Sequence, residues 1–190
     1  MNLILPKDIA KLKNLVRNIV EEHIFTLEAD YFKFEGSNNV ANLLPKTIGE
    51  LKNLSINSGI YKSHLPKVFG GADMGALGAT VIDEEISKSI IRLPVCHVPN
   101  ILIENSTDLQ VEKYITPYLN GQINACFAQT EPSAGSDMAN MMSTRAIKDG
   151  DYWILDGTKA YISRAGTADF MMLQAVTDPE KRQRGGITMF

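Results

Sequence analysis

The sequence predicts an α+β protein in which an all-α helical bundle, residues 1–122, precedes an incomplete antiparallel β-sheet or barrel domain, residues 123–190. Before Gly121, apolar residues recur at helical spacing. After Gly121, two Asp-Gly dipeptides separate short runs rich in Thr, Tyr, Ile and Trp, which is typical of strands joined by tight turns. Because the strands follow the helices instead of alternating with them, we expect segregated layers or domains and no βαβ sheet.

The first two helices are predicted from apolar periodicity. One helix is expected from Asp8 to about Leu27, with lysines and glutamates between its apolar positions. Those positions are Ile9, Leu12, Val16, Ile19, Val20, Ile24 and Leu27. A second helix is expected to begin near Leu44, where Pro45 suits the first helical position, and to end at Gly59.

The remaining elements are separated by glycine and proline. The segment HLPKVFGGADMG is predicted to be a loop because Pro66 and the Gly70-Gly71 pair interrupt regular structure. Further helices are expected over residues 76–88, 100–105 and 107–119, and strands over Ile123–Gln129, Met142–Lys148, Tyr152–Leu155, Lys159–Ser163 and Phe170–Val176. Another apolar strand starts at Gly186 and would be left with an unpaired edge, so we expect a truncated domain or a partner that completes it.

Charge and composition exclude several function classes. The chain has 19 basic and 22 acidic residues, and its net charge of -3 provides no general attraction for nucleic acid or an anionic membrane. Lys181, Arg182 and Arg184 form a basic cluster that we interpret as a solvated turn. No stretch reaches the roughly 18 apolar residues of a membrane span, and the amino terminus lacks the features of a signal peptide. Cys96 and Cys126 are expected to be reduced and buried, which favours a cytoplasmic protein.

Other reactive side chains have structural interpretations. His23, His64 and His97 show no metal-ligand spacing, so no metal site is predicted. Glu84 and Glu85 are expected on the solvated face of a helix. The methionines Met138, Met141, Met142, Met171 and Met172 suggest adaptable packing against a sheet.

Two short segments have the residue types of a binding site. In TEPSAGSD, residues 130–137, Gly135 permits unusual backbone geometry, and hydroxyls from Thr130, Ser133 and Ser136 can donate or accept hydrogen bonds. In KAYISRAG, residues 159–166, strand alternation would place Tyr161 and Ser163 on one face, where a ring could stack on a planar heterocycle. Taken alone, each segment is better explained by local structure than by a ligand site. TEPSAGSD has the composition of an ordinary Asp/Ser/Gly turn, and KAYISRAG that of a half-buried strand with a polar face.

Together the segments resemble the acyl-CoA dehydrogenase family. FAQTEPSAGSD, DGTKAYIS and ADFMMLQAVTDP are similar in order and spacing to that family's middle β-domain. LPKVFGG and ENSTDLQVEKYITPYLNG resemble its helical half, so the resemblance covers nearly the whole chain. It implies an acyl-CoA dehydrogenase-like fold whose C-terminal helical domain is absent from this sequence.

The resemblance implies FAD as cofactor and acyl-CoA as substrate. The implied flavin-binding residues are Phe127, Gln129, Thr130, Gly135, Ser136, Tyr161, Ile162 and Ser163. Ser136 would also meet the pantetheine arm of the substrate, and the acyl chain would lie near residues 93–100. Tyr161 stands where the family more often has Trp or Phe, Ser163 where Thr is common, and Arg164-Ala165 replaces a frequent Asn-Gly.

The implied reaction is α,β-dehydrogenation, in which a carboxylate removes the α-proton and hydride passes to flavin N5. The family's base is a glutamate of the C-terminal domain, so no catalytic residue is nominated here, and Glu131 is implied to be structural. The alternatives are a same-fold acyl-CoA oxidase, enoyl-CoA reductase or flavin monooxygenase, or a non-catalytic half-subunit that needs a partner chain. The resemblance further implies a homo-oligomer and does not identify the electron acceptor.

Overall fold

The chain is divided into two compact units, Met1–Gly121 and Gln122–Phe190. The computed structural model describes residues 4–34, 40–96 and 105–190. The first unit is helical and the second contains the sheet, so the predicted order of helices before strands is confirmed. Among the residues described, no helix is both long and apolar enough to cross a membrane.

The helical unit begins with a long helical segment. Helix α1, Lys7–Ile19, continues through a π-helical stretch, Val20–Ile24, into α2, Phe25–Phe34. It is followed by α3, Val40–Asn57, a 3₁₀ turn at Lys67–Phe69, α4, Gly75–Ile86, α5, Asp108–Gln110, a π-helical stretch at Val111–Ile115 and α6, Thr116–Leu119. Helix α3 begins at Val40, earlier than the predicted start near Leu44. The helix predicted at residues 100–105 falls almost entirely outside the described residues.

The apolar periodicity of α1 correctly predicted its buried face. All the predicted positions up to Ile24 are buried, and Leu27 is partly buried against the same core. Residues from α3 and α4 complete this core, among them Leu51, Val81, Ile82 and Ile86. Burial of this apolar surface is the main stabilising contribution to the helical unit.

A tight loop joins α3 to α4, as the breakers predicted. A Cβ atom on Gly71 would lie 2.0 Å from the carbonyl oxygen of Leu65, so only glycine fits at this close approach of two backbones. The backbone N–H groups of Ala72 and Met74 both donate to the carbonyl oxygen of Ser63. The loop is therefore held by its own backbone hydrogen bonds.

The prediction that Glu85 lies on a solvated helix face is wrong. Glu84 is exposed, but the Glu85 side chain is fully buried on the side of α4 that faces α1. Its carboxylate accepts hydrogen bonds from Arg17 and Lys88, which supply the opposite charges that a buried carboxylate requires. The two adjacent glutamates therefore have different structural roles.

The second unit contains a mixed sheet. Its strands are β1, Ala125–Ala128, β2, Arg145–Asp149, β3, Tyr152–Asp156, β4, Phe170–Val176 and β5, Ile187–Met189. The strand order is β1-β4-β2-β3, with β5 also paired to β4, and the sheet is not closed. Pairs β2–β3 and β4–β5 are antiparallel, but β4 is parallel to both β1 and β2, which corrects the prediction of a wholly antiparallel sheet.

The first Asp-Gly dipeptide forms a hairpin turn, as predicted. Asp149 of β2 lies opposite Tyr152 of β3, which leaves a two-residue loop in which Gly150 has a φ of 57°. This left-handed conformation matches the twist of a hairpin and favours glycine. Short helical turns at Met138–Met141, named α7, and at Arg182–Arg184 connect other strands of this unit.

The strand predicted at Lys159–Ser163 is wrong. These residues follow β3 as an irregular segment, and Tyr161 and Arg164 both have positive φ angles, of 57° and 65°. Backbone hydrogen bonds from Ala165 to Ile162 and from Thr167 to Arg164 close consecutive turns. The predicted alternation of Tyr161 and Ser163 on one strand face therefore does not apply.

Candidate functional site

The TEPSA segment forms a closed turn directly after β1. The N–H of Glu131 donates to the carbonyl oxygen of Ala134 at 3.1 Å, and the N–H of Ala134 donates back to Glu131 at 3.1 Å. Pro132 and Ser133 lie exposed at the corner, whereas Glu131 and Ala134 are buried. The sequence folds this way locally because proline and serine suit a tight turn.

Glu131 holds the turn onto the rest of the unit. Its Oε2 accepts hydrogen bonds from the N–H of Ser143 at 2.6 Å and from the Ser143 hydroxyl at 2.5 Å. Its Oε1 accepts from the N–H of Thr144 at 2.9 Å and from Lys159 Nζ at 3.0 Å. Burial raises the pKa of Glu131, but the hydrogen bonds from Ser143 and Thr144 outweigh it and hold the pKa well below its ordinary value. A carboxylate so fully bonded is structural, as the family resemblance implied.

The two predicted binding segments lie against each other. The N–H of Ala160 donates to the carbonyl oxygen of Thr130 at 2.9 Å. Lys159 Nζ donates to the carbonyl oxygen of Gln129 at 2.9 Å, in addition to its bond with Glu131. Residues far apart in sequence are therefore joined at the end of β1.

The candidate aromatic and hydroxyl residues are solvent-accessible. Tyr161 is 90% exposed, and Phe127 projects from the exposed face of β1. Within the described part of the chain, the hydroxyls of Thr130, Ser136 and Ser163 have no hydrogen-bond partner. Ile162 is partly buried, and Gln129 is one of the residues that line the cavity described below.

Gly135 does not use the unusual backbone geometry that we considered from the sequence. Gly135 is not among the glycines with a positive φ, and an added Cβ would meet no atom within 4 Å. The fold of the unit itself therefore does not require glycine at this position. Open space next to the backbone is what a closely approaching ligand would need.

A cavity of about 340 Å³ lies within the sheet unit beside the turn. Its lining includes Gln129, Met138, Met142, Gln174, Arg182 and Ile187. Arg182 Nη1 donates to the carbonyl oxygens of Asn140 at 2.7 Å and Met142 at 3.2 Å. The predicted solvated basic turn therefore holds for the exposed Lys181 and Arg184, but Arg182 is partly buried and bonded.

Sequence reasoning missed three residues that organise the site. Lys159, Ser143 and Thr144 all bond to Glu131, yet they lie between 12 and 28 residues away from it. No local pattern marks this pairing. The available signal was the presence of a lysine in one candidate segment and a glutamate in the other, because a buried charge requires a partner.

Other predicted features are placed as follows. Cys96 and Cys126 are both free and buried, as predicted. Met138 and Met142 pack in a small core with Ala134 and Val176, whereas Met141 and Met171 are largely exposed. The acyl-chain region predicted near residues 93–100 falls partly outside the described residues, as does His97.

Comparison with known proteins agrees with these features. The model of the acyl-CoA dehydrogenase middle domain matches residues 126–190. A 3-(aryl)acrylate reductase of Clostridium sporogenes is 38% identical over 77% of the chain and 39% of its own length. The mitochondrial short-chain specific acyl-CoA dehydrogenase of Rattus norvegicus is 31% identical over 98% of the chain and 44% of its own length.

The fold is shared with a solved structure of a putative acyl-CoA dehydrogenase from Mycobacterium abscessus. The TM-score is 0.82 at 21% identity, and the match covers 98% of the chain and 50% of that structure. This likeness confirms the predicted helical bundle followed by an incomplete β-domain, although β4 pairs in parallel where an antiparallel sheet was predicted. The chain spans half or less of the length of each of these proteins. The chain belongs to the acyl-CoA dehydrogenase family, and its residues 126–190 correspond to the middle domain.

Proposed function

We propose that this chain forms the flavin-binding half of an FAD-dependent oxidoreductase that dehydrogenates the Cα–Cβ bond of an acyl-CoA thioester. The observation that carries the proposal is the hydrogen bond between Ala160 and Thr130, which holds the two candidate flavin-binding segments together. Family membership supports the same reaction class. Domain boundaries near residue 122 are part of this proposal.

The residues of these two joined segments, together with Phe127 of β1, fit a flat, polar heterocycle. Tyr161 and Phe127 offer exposed aromatic surface, and Gly135 leaves room for close approach. The residues that would hold FAD are Phe127, Gln129, Thr130, Gly135, Ser136, Tyr161, Ile162 and Ser163. When bound, the flavin supplies the two-electron acceptor for the reaction.

The roles of the chain's own residues are binding and orientation. The hydroxyls of Thr130 and Ser163 would bond the ring edge, and Ser136 would contact the pantetheine arm of the substrate. Glu131 is unsuited to proton abstraction because it is buried and both its oxygens already accept hydrogen bonds. We propose that the base is supplied by a C-terminal helical domain, so the chain alone is inactive and binds FAD weakly.

A reductase acting in the opposite direction is the second candidate. The relative with 38% identity is named a 3-(aryl)acrylate reductase, which favours reduction of an α,β-unsaturated substrate. Mixing the reduced flavoprotein with an enoyl-CoA and the oxidised form with an acyl-CoA would show which direction proceeds. Oxygen consumption during turnover would instead indicate an oxidase or monooxygenase.

Cellular context follows from the same proposal. Two buried, reduced thiols suit a reducing compartment, so we place the protein in the cytoplasm.

We also propose a homo-oligomer, which light scattering of the purified gene product would test. A stable monomer that binds flavin fully would contradict this part of the proposal.

The function is tested with the full gene product that carries this chain. Purified protein should show the visible absorption of bound FAD, and an acyl-CoA should bleach it. Thr130→Val should weaken FAD binding, while Thr26→Val, a matched change on an exposed position of α2, should leave it unchanged. A protein that never retains flavin would contradict the proposal, and a flavoprotein that no acyl- or enoyl-CoA affects would contradict the substrate class.

A further inference from the structure

We infer that Lys159 is a positioning residue for the flavin site, because its ammonium fixes the peptide between Gln129 and Thr130 so that the Thr130 N–H faces the ligand. This inference rests on the proposed function. It assigns a role to a residue that contributes no atom to the ligand-facing set described above.

The first step of the argument is the burial of Lys159. Its side chain is only 6% exposed, which is uncommon for lysine. Its Nζ donates to Gln129 O at 2.9 Å and to Glu131 Oε1 at 3.0 Å. The Glu131 carboxylate balances the charge of the Lys159 ammonium. The other hydrogen bond of the ammonium is directed at one backbone carbonyl, that of Gln129.

The second step is the geometry of that peptide. The structure has no cis peptide bond among its described residues, so the C=O of Gln129 and the N–H of Thr130 point in opposite directions. Because the carbonyl faces Lys159, the N–H of Thr130 faces away from it. Among the described residues no acceptor bonds this N–H, while the neighbouring Glu131 N–H is used within the turn.

The third step is electrostatic. A cation bonded to a carbonyl oxygen polarises the amide and strengthens its N–H as a donor. The Thr130 carbonyl is held separately by Ala160, so the peptide units on both sides of Thr130 are fixed. Lys159 therefore both orients a donor toward the ligand and increases its strength.

The test compares Lys159→Met with Lys159→Arg in the full gene product. Lys159→Met should weaken FAD binding about tenfold or more and shift the visible flavin spectrum, as loss of a charge-assisted interaction predicts. Lys159→Arg should restore most of the affinity because it keeps the cation. Lys148→Met, at an exposed lysine of β2, should change neither property. Wild-type affinity and spectrum in Lys159→Met would overturn the inference.

A second comparison separates positioning from stability. Glu131→Gln removes the charge partner of Lys159 but keeps the ammonium next to Gln129. Of the two variants, Glu131→Gln should therefore cause the larger fall in melting temperature, and Lys159→Met should cause the larger loss of FAD affinity. If FAD affinity simply follows melting temperature in both variants, Lys159 is only structural and the inference is wrong.

Amide hydrogen exchange provides a readout without catalysis. In the flavin-free protein, the Thr130 amide should exchange rapidly and the Ala160 amide slowly, and saturating FAD should protect Thr130. A Thr130 amide that stays unprotected in the FAD-saturated protein would overturn the inference. Absence of flavin binding in the wild type would reject the proposed function itself, whereas normal wild-type binding with an unaffected Lys159→Met would reject only the role of Lys159.

Discussion

Arg17 of α1 donates two hydrogen bonds to Glu85 of α4, from Nε to Oε2 at 3.2 Å and from Nη2 to Oε1 at 2.9 Å. Lys88 donates to Oε2, and Lys13 Nζ lies 3.7 Å from Oε1. The carboxylate is fully buried, whereas Arg17 and Lys88 remain partly exposed. This arrangement joins two helices whose apolar faces form the core of the helical unit.

Glu85→Gln should destabilise the helical unit strongly. The change removes the charged acceptor of the hydrogen bonds from Arg17 and Lys88, and both cations are partly exposed, so water can solvate them. We therefore expect the free energy of unfolding to fall by about 2 to 3 kcal/mol, as for the loss of charge-assisted hydrogen bonds. Glu84→Gln is the matched control, because Glu84 is 54% exposed and its pair with Lys13 should contribute less than about 1 kcal/mol. Urea denaturation monitored by far-UV circular dichroism measures both values. Equal losses in the two variants would contradict the structural assignment.

The same pair predicts how stability depends on pH. The hydrogen bond from Arg17, opposed by burial and aided by Lys88, lowers the pKa of Glu85 from 4.5 to about 2. Because the folded pKa is lower than the unfolded one, the stabilisation is present above pH 4.5 and is lost as the pH falls toward 2. Melting temperature should therefore fall with acidification more steeply in the wild type than in Glu85→Gln. Parallel curves would show that Glu85 does not carry this dependence.

The helical unit shows what periodicity can and cannot predict. The spacing of Ile9, Leu12 and Val16 identified the buried face of α1 because a helix places such residues on one side. The burial of Glu85 could not be found this way, since it depends on Arg17, which lies 68 residues earlier in the chain. Pairing between distant elements is a property of the folded structure.

The site shows the same limit at the level of strands. The two candidate segments do lie against each other, but the prediction of a strand at Lys159–Ser163 was wrong. A composition rich in strand-forming residues does not determine which strand a segment pairs with. In the structure, the strand that pairs with β1 is β4. Tyr161 instead takes a positive φ, which alternation cannot predict. The hydrogen-bond partners of Glu131 were missed because they lie 12 to 28 residues away from it in the chain.

The two cysteines should be unreactive in the folded protein. Cys96 and Cys126 are buried, and burial raises the pKa of Cys126, which disfavours the reactive thiolate. Ellman's reagent should therefore label neither thiol rapidly under native conditions and should label both in urea. Fast native labelling of Cys126 would show that β1 opens readily, and a Cys126→Ser variant would identify which thiol reacted.

Two glycine substitutions should separate the requirements of folding from those of ligand binding. Gly71→Ala places a Cβ 2.0 Å from Leu65 O and 2.5 Å from Leu65 C, and both are backbone atoms that cannot move aside easily. We expect a loss of about 2 kcal/mol or more in the free energy of unfolding. Chemical denaturation measures this loss, and unchanged stability would contradict the described loop.

Gly135→Ala should have the opposite profile. The added methyl group meets no protein atom within 4 Å and Gly135 has no positive φ, so stability should change by no more than about 0.5 kcal/mol. If the open space serves a ligand, however, the same methyl should weaken FAD binding about tenfold or more in the full gene product. Fluorescence titration with FAD measures this effect. Unchanged affinity together with unchanged stability would mean that Gly135 lines no flavin site, because neither the fold nor a ligand would then require glycine there.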